Sequence, residues 1–234
     1  MDKDAGAFQR PRRAMSRKWI WMVVALAFPA GGVAQSKPQF PQDDFQVWTD
    51  VEASHALGEN LHLNLNGALR WSNDAGHLLY RRMGGGFAYT WHKYLTFSPY
   101  YNFYAADPTP VTTSHENRAS FAVTVGIPLG RWRVSDRNTI ERRFLATADT
   151  TRYRNRVQIE RAVKFGGFPL HVFVWDEVFY DSGASAWTRN RAAVGAGKEI
   201  SHYLSIDLYY LHQNDSHTRP GDLNGVGVTL RTHF

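Results

Sequence analysis

From Phe45 to the C-terminus, apolar and polar residues alternate with a period of two, and no useful stretch repeats at the helical period of 3.6. The clearest run is LHLNLNGALRW at 61–71. Leu61, Leu63, Leu65 and Leu69 fall on one face, and His62, Asn64, Asn66 and Arg70 on the other. Comparable runs cover 45–54, 60–71, 80–91, 94–105, 115–129, 132–145, 152–165, 169–180, 187–199, 203–213 and 224–234. They predict strands of about 10–15 residues, against about 5–6 for an ordinary strand. A tilted strand crosses a bilayer in about 9–11.

The connections alternate. Short ones fall near Gly58, His92-Lys93, Gly130, residues 166–169 and Ser201-His202, and longer polar ones at 72–79, 106–114, 146–151, 181–186 and 214–223. Aromatic residues gather towards strand ends, at Trp71, Trp91, Tyr94, Tyr104, Trp132, Trp187 and Tyr203. Short turns on one side, loops on the other and aromatic girdles describe an all-β, closed antiparallel transmembrane barrel of the outer membrane, spanning 45–234. Eleven runs are visible. Single-chain bacterial barrels carry even numbers, so the expected count is twelve, with a further strand within 36–44, or ten if 45–54 is not a wall strand. The last run, NGVGVTLRTHF, places Val226, Val228 and Leu230 on one face and closes on Phe234, resembling the C-terminal assembly signal of outer-membrane proteins.

The head of the chain reads as an address. Arg17 and Lys18 precede an apolar run from Trp19 to Phe28, and Gly32 and Ala34 are the small residues a signal peptidase reads. Residues 1–34 are thus an N-terminal extension plus a secretory signal cut after Ala34, and 35–44 a periplasmic lead-in. The fourteen residues before Met15 look like an overlong start, leaving Met1 and Met15 both open; a twin-arginine signal is an alternative, although the usual residues after Arg12-Arg13 are missing. Removing 1–34 leaves 21 basic and 19 acidic residues, about +2, without a basic block. Nucleic-acid binding is therefore not expected. With no cysteine there is no disulfide framework or thiolate metal site, and no cofactor is expected. The implied partners are outer-membrane lipids and, during biogenesis, periplasmic chaperones and the barrel-assembly machinery; the oligomeric state is open.

Charge on the inward parity is the distinctive feature. RNTIERRF at 137–144 and RYRNRVQIER at 152–161 flank a loop near 148–149. Paired across it, Glu141 would face Arg156, Arg137 would face Glu160, and Thr139 would face Gln158. Arg143 would meet Arg154, a like pair needing Glu116 or Glu177 nearby. Glu52, Arg70, Arg82, Arg118, Glu177, Arg189, Arg191 and Asp207 share this parity. The set reads either as an ion-paired filling that fixes register or as a basic-lined solute path. Arg161 and Asp176 fall on the lipid parity. Arg161 can snorkel from near a turn, a bulge would turn either residue inward, and Asp176 otherwise has no explanation.

Some outer-membrane barrels are lipid hydrolases, for which Ser114-His115-Glu116 and Ser216-His217 hold the right residue types. Neighbours on a strand point to opposite faces, so a local Ser-His pair does not easily meet. The His residues lack metal-site spacing, and Gly84-Gly85-Gly86 reads as a barrel bend.

Trp48, Arg70, ERR at 141–143, RYRNR at 152–156, DEVF at 176–179, NRAAVG at 190–195 and YYLHQ at 209–213 together resemble the bacterial "domain of unknown function 2490" outer-membrane family. The resemblance implies an outer-membrane barrel and brings no assigned activity. The expected function is a structural barrel or narrow solute channel, with a lipid-modifying hydrolase as the alternative.

Overall fold

The computed structural model describes residues 43–72, 74–109, 112–217 and 221–234. The expected signal segment lies outside the described residues, as does the lead-in apart from Asp43 and Asp44. The elements are β1 (Asp43–Ala56), β2 (Leu61–Ser72), β3 (His77–Trp91), β4 (Leu95–Thr109), β5 (Thr112–Leu129), β6 (Trp132–Leu145), β7 (Thr150–Phe165), β8 (Phe168–Asp181), β9 (Ala186–Ser201), β10 (Leu204–Asp215) and β11 (Asp222–His233). Period-two patterning with β-branched and aromatic residues accounts for strands of 12 to 18 residues.

The strands close into one barrel, each antiparallel to the next, with β1 and β11 sealing the ring in parallel. The described count is therefore eleven, neither the expected twelve nor ten. An odd number makes the first and last strands run the same way, and a parallel ladder then closes the wall. Its register runs from Asp43↔Asp222 to Ser54↔His233. Phe234 extends the seam: its N–H donates to Ser54 O at 2.9 Å, and its carbonyl accepts from Ala56 N at 3.3 Å. Closure leaves no unpaired edge. The 45–54 run is a full wall strand, paired on both sides.

The connections differ less in length than expected. Much of the polar sequence at 72–79 and 106–114 belongs to β3, β4 and β5, because the hairpins run past the apolar band while keeping their ladders. Gly84 and Gly86, expected to mark a bend, sit where the β4 backbone comes close. A Cβ on Gly84 would sit 2.2 Å from Tyr101 O, and one on Gly86 2.2 Å from Pro99 O.

The distribution of polarity is inside out. Leu65, Met83, Ile140, Val194 and Leu208 face outward at 56–65% exposure, whereas Glu141 and Glu177 are 0% and 1% exposed inside. The interior also holds an apolar cluster of Trp48, Phe173, Trp175, Ala193, Leu211 and Leu223, with Tyr209 packed against it. Tyr104 is not a girdle residue. It shares parity with Asn102, lies buried inside, and has the Arg118 guanidinium 3.7 Å above its ring.

Tyr209 reaches along the inner wall, over β11 to β1, its hydroxyl donating to Asp50 Oδ2 at 3.2 Å. It lies across Gly227, where a Cβ would come within 2.1 Å of its ring. Gly227→Ala should therefore displace the ring and lower unfolding stability by about 1–3 kcal/mol. Gly58→Ala, with open space around it, should leave the midpoint unchanged; denaturant unfolding of the folded barrel checks both.

Candidate functional site

The centre of the lumen is built by β5–β9. Glu141 on β6 and Glu177 on β8 point inward from either side of β7, whose inward positions Arg152, Arg154 and Arg156 reach both. Arg152 donates to Glu141 Oε2 from Nη2 at 2.6 Å and from Nε at 2.8 Å. Arg154 bridges the carboxylates, with Nη1 on Glu141 Oε1 at 2.7 Å and Nη2 on Glu177 Oε1 at 2.6 Å. Arg156 donates to Glu177 Oε2 at 3.1 Å. Arg137 and Arg191 approach Glu177 only to 3.8 Å, and Arg118 approaches Glu141 to 4.0 Å. Charge-assisted bonds to both oxygens of each carboxylate compensate its burial.

This arrangement corrects the expected register of the β6–β7 hairpin. Glu141 faces Arg152 rather than Arg156, Arg137 faces Arg156 rather than Glu160, Thr139 faces Arg154, and Arg143 faces Thr150. The slip is even, so every residue keeps its face. Its physical reason is that both arginine-rich strands are staggered to meet carboxylates on their other neighbours. The like-charged Arg137–Arg156 pair is offset by Glu177 on β8, and Arg143 finds Glu116 on β5 at 2.6 Å and Asp181 on β8 at 2.7 Å. Glu160 has Gln158 Nε2 at 3.4 Å and stands opposite Arg133.

Two further groups complete the lumen. Near the loop end, Glu116 also accepts from Arg118 Nε at 2.5 Å, and Arg189 reaches Asp215 at 2.5 Å. Across the barrel, Asp50 on β1 holds Arg70 and Arg82 at 2.9 and 3.0 Å. Towards the turn end, Arg231 links Glu52, at 2.9 Å, to Asp207, which also faces His171 Nε2 at 3.0 Å. Aromatic faces carry the surplus: Arg70 and Arg191 lie 4.3 and 4.6 Å from the Trp48 ring, and Arg156 lies 4.1 Å from Trp175. Among the described residues, eleven arginines and eight carboxylates form the inward ion pairs, an excess of three positive charges.

Three cavities follow one another along the lumen. One of about 410 Å³ lies towards the turn end, one of about 170 Å³ at the waist and one of about 330 Å³ towards the loop end. Arg82 and Arg154 border all three, so these two side chains from facing walls define the waist.

The sequence profile described as "Protein of unknown function (DUF2490)" matches residues 45–224. The chain belongs to the DUF2490 family. No curated protein matches this DUF2490 chain. Among solved structures it is similar to an anion-selective porin from Comamonas acidovorans, at 11% identity and a TM-score of 0.38, over 75% of this chain and 55% of the porin. The chain thus spans about half of that porin's length.

Of the sequence-predicted set, the DUF2490 barrel brings Glu52, Arg70, Arg82, Arg118, Arg137, Glu141, Arg143, Arg154, Arg156, Glu177, Arg189, Arg191 and Asp207 into inward ion pairs and leaves Glu160 outside them. Sequence reasoning missed Asp50, Arg152, Asp181, Asp215 and Arg231 as participants. All five share the inward parity of their strands, the signal that would have found them. Val226, Val228 and Leu230 point outward on β11, and Phe234 follows it at 69% exposure. Arg161 stays outward with its guanidinium 4.8 Å from the Trp132 ring, and Asp176 stays outward beside Asn190; neither is turned in by a bulge.

The Ser-His reading also needs correction. Ser216 Oγ and His217 Nδ1 do meet, at 2.6 Å, because the chain leaves the strand geometry after Asp215. Ser216 also donates to Thr188 O at 3.2 Å, and Asp215 accepts from the His217 N–H at 3.0 Å as well as from Arg189, so the contacts clamp the loop onto β9. Ser114 bonds to Ala106 O, while His115 turns outward onto Phe103.

Glu141→Gln should destabilise the barrel by about 3–5 kcal/mol, because Arg152 and Arg154 lose the charge that compensates their burial. Asp149→Asn, at the exposed partner of Arg142, should cost about 0–1 kcal/mol. Unfolding midpoints of the two variants under one denaturant series check the difference.

Proposed function

We propose that this DUF2490 protein is an integral barrel of the outer membrane whose lumen is a narrow, anion-selective path. The observation that carries this reading is the inversion of polarity: an exterior of exposed Leu, Ile, Val and Met surrounds an interior of buried arginines and carboxylates. A soluble domain buries its apolar residues and hydrates its charges, whereas a wall in lipid does the reverse. Outward rings near the strand ends support it, with Trp91, Trp132 and Tyr203 towards the turn end and Trp187 towards the loop end, each 45–65% exposed. In that setting Val226, Val228, Leu230 and Phe234 form the signal read by the barrel-assembly machinery.

Anion selectivity follows from the charge balance at the waist. Arg154 is held by two carboxylates, whereas Arg137 has its nearest one at 3.8 Å and 40% of its side chain exposed. Arg137 borders both the waist cavity and the larger cavity below it. It is the guanidinium best placed to exchange a weak internal partner for a passing anion. The side chains crossing the waist limit passage to small solutes, since fixed charges in a narrow pore exclude their own sign and large bodies alike.

Reconstitution of the exported barrel in a planar bilayer tests this. Small, reproducible steps carried mainly by chloride are expected, and Arg137→Glu should abolish or reverse the preference while the barrel still inserts. Inserted protein without steps, or with cation preference, would overturn the anion path.

A further inference from the structure

Five polar side chains interrupt the apolar outer face on β6–β9: Asp136, Asn138, Asn155, Asp176 and Asn190. They sit next to an outward ring cluster in which Tyr153 and Tyr180 pack against Trp187, with centroids 6.2 and 5.6 Å apart. The register sets them in two adjacent rows. Asn138, Asn155, Val178 and Asn190 make one, and Asp136, Val157, Asp176 and Ala192 the other. Asn155 Nδ2 donates to Asp136 Oδ1 at 2.6 Å, and Asn138 Nδ2 donates to Asp136 Oδ2 at 3.2 Å. Asn190 Nδ2 donates to both oxygens of Asp176, at 2.9 and 3.2 Å.

Among the described residues, neither carboxylate has a cation within ion-pairing distance. Several other outward charges fare differently: Arg81 pairs with Asp107, Arg142 with Asp149, Arg161 lies on Trp132 and Lys198 on Phe168. Arg161 and Lys198 are near the turn ends of their strands, and Arg142 is near the loop end of its own. Asp176 lies in the body of the wall, and Asp136 is as far inside the turn end of β6 as Arg161 is inside that of β7; a charge against acyl chains is costly.

We propose that this patch is the contact face for a second copy of the chain, packed alongside the first about a two-fold axis along the membrane normal. The proposal rests on the membrane-embedded reading. Such an axis keeps every residue at its own depth and sets the patch against itself. Because the strands are tilted, the rows slope, and the amide row of one copy crosses the carboxylate row of the other. Asn155 and Asn190 already donate twice within a copy, but Asn138 Nδ2 donates once and each carboxylate oxygen accepts more than one bond, so the crossing lets Asn138 donate to a carboxylate of the other copy without breaking the bonds within its own. The small Ala192 and the compact Val157 and Val178 between the polar groups allow close approach of the two walls.

The chain has no cysteine, which makes site-directed disulfide trapping clean. Val157→Cys, at the centre of the patch, and Leu69→Cys, outward on β2, are each expressed in the full chain and oxidised mildly in intact membranes. Insertion is checked on the same samples by extraction and by the faster gel migration of the unboiled barrel. The expected result is a band of twice the chain mass for Val157→Cys, roughly tenfold stronger than for Leu69→Cys. Adding Asp136→Val and Asp176→Val should return it to the Leu69→Cys level while the barrel remains folded. An inserted barrel that cross-links no more at 157 than at 69, that cross-links undiminished without the two carboxylates, or that traps a different protein through the thiol introduced at 157 would overturn the second-copy interface. A chain found outside the membrane would instead overturn the membrane reading on which the interface rests.

Discussion

Arg154 lies between Glu141 and Glu177, and through these two buried carboxylates β6, β7 and β8 are tied into one inward network. Removing an ion from water costs on the order of several kcal/mol, so the interior holds together only where every carboxylate has its guanidinium. The network reaches β5 through Arg118 and Glu116 and β9 through Arg191. Pairing then sets stagger as well as stability. The β6–β7 hairpin adopts the register that gives Glu141 both Arg152 and Arg154, and it tolerates Arg137 opposite Arg156 because Glu177 neutralises the pair from the next strand.

The same requirement explains the shape of the lumen. Arginine stems and fork-shaped heads extend across the space and stack on Trp48, Trp175 and Tyr104, leaving a small waist between two larger cavities. Charge is unevenly spent there: Arg154 is saturated while Arg137 keeps a distant partner, and that inequality separates a filled barrel from a path that attracts anions. On the outside the logic is reversed. Apolar side chains need no partners in lipid, so the hydrogen-bonded Asp136 and Asp176 stand out as groups that a monomer leaves uncompensated.

Parity was legible in the sequence because a strand's side-chain period of two is local, and fourteen of the fifteen inward charges named from it, Glu116 included, take part in ion pairs. Glu160 is the exception because its pairing depended on register. Register is set jointly by a strand's two neighbours, and a hairpin considered alone lacked the pull of Glu116 and Glu177. The described count of eleven is one short of the expected twelve, whose further strand within 36–44 falls mostly outside the described residues; an even number is a rule for antiparallel closure, and the β1–β11 seam is parallel. Tyr104 was misassigned by nearness to a strand end, although its parity with Asn102 already placed it inside. Asp176 had no sequence-level explanation because its amide partner, Asn190, arrives from another strand.

The most direct test of the buried network is a double-mutant cycle of Glu141→Gln and Arg152→Met, read as unfolding free energy in lipid vesicles. If the network governs closure, the two changes should be coupled by about 1–3 kcal/mol, the double variant being more stable than the sum of the single losses. Additive losses within about 0.3–0.5 kcal/mol would mean that the pair fills space without holding the wall together, and would contradict a barrel closed by its interior charges.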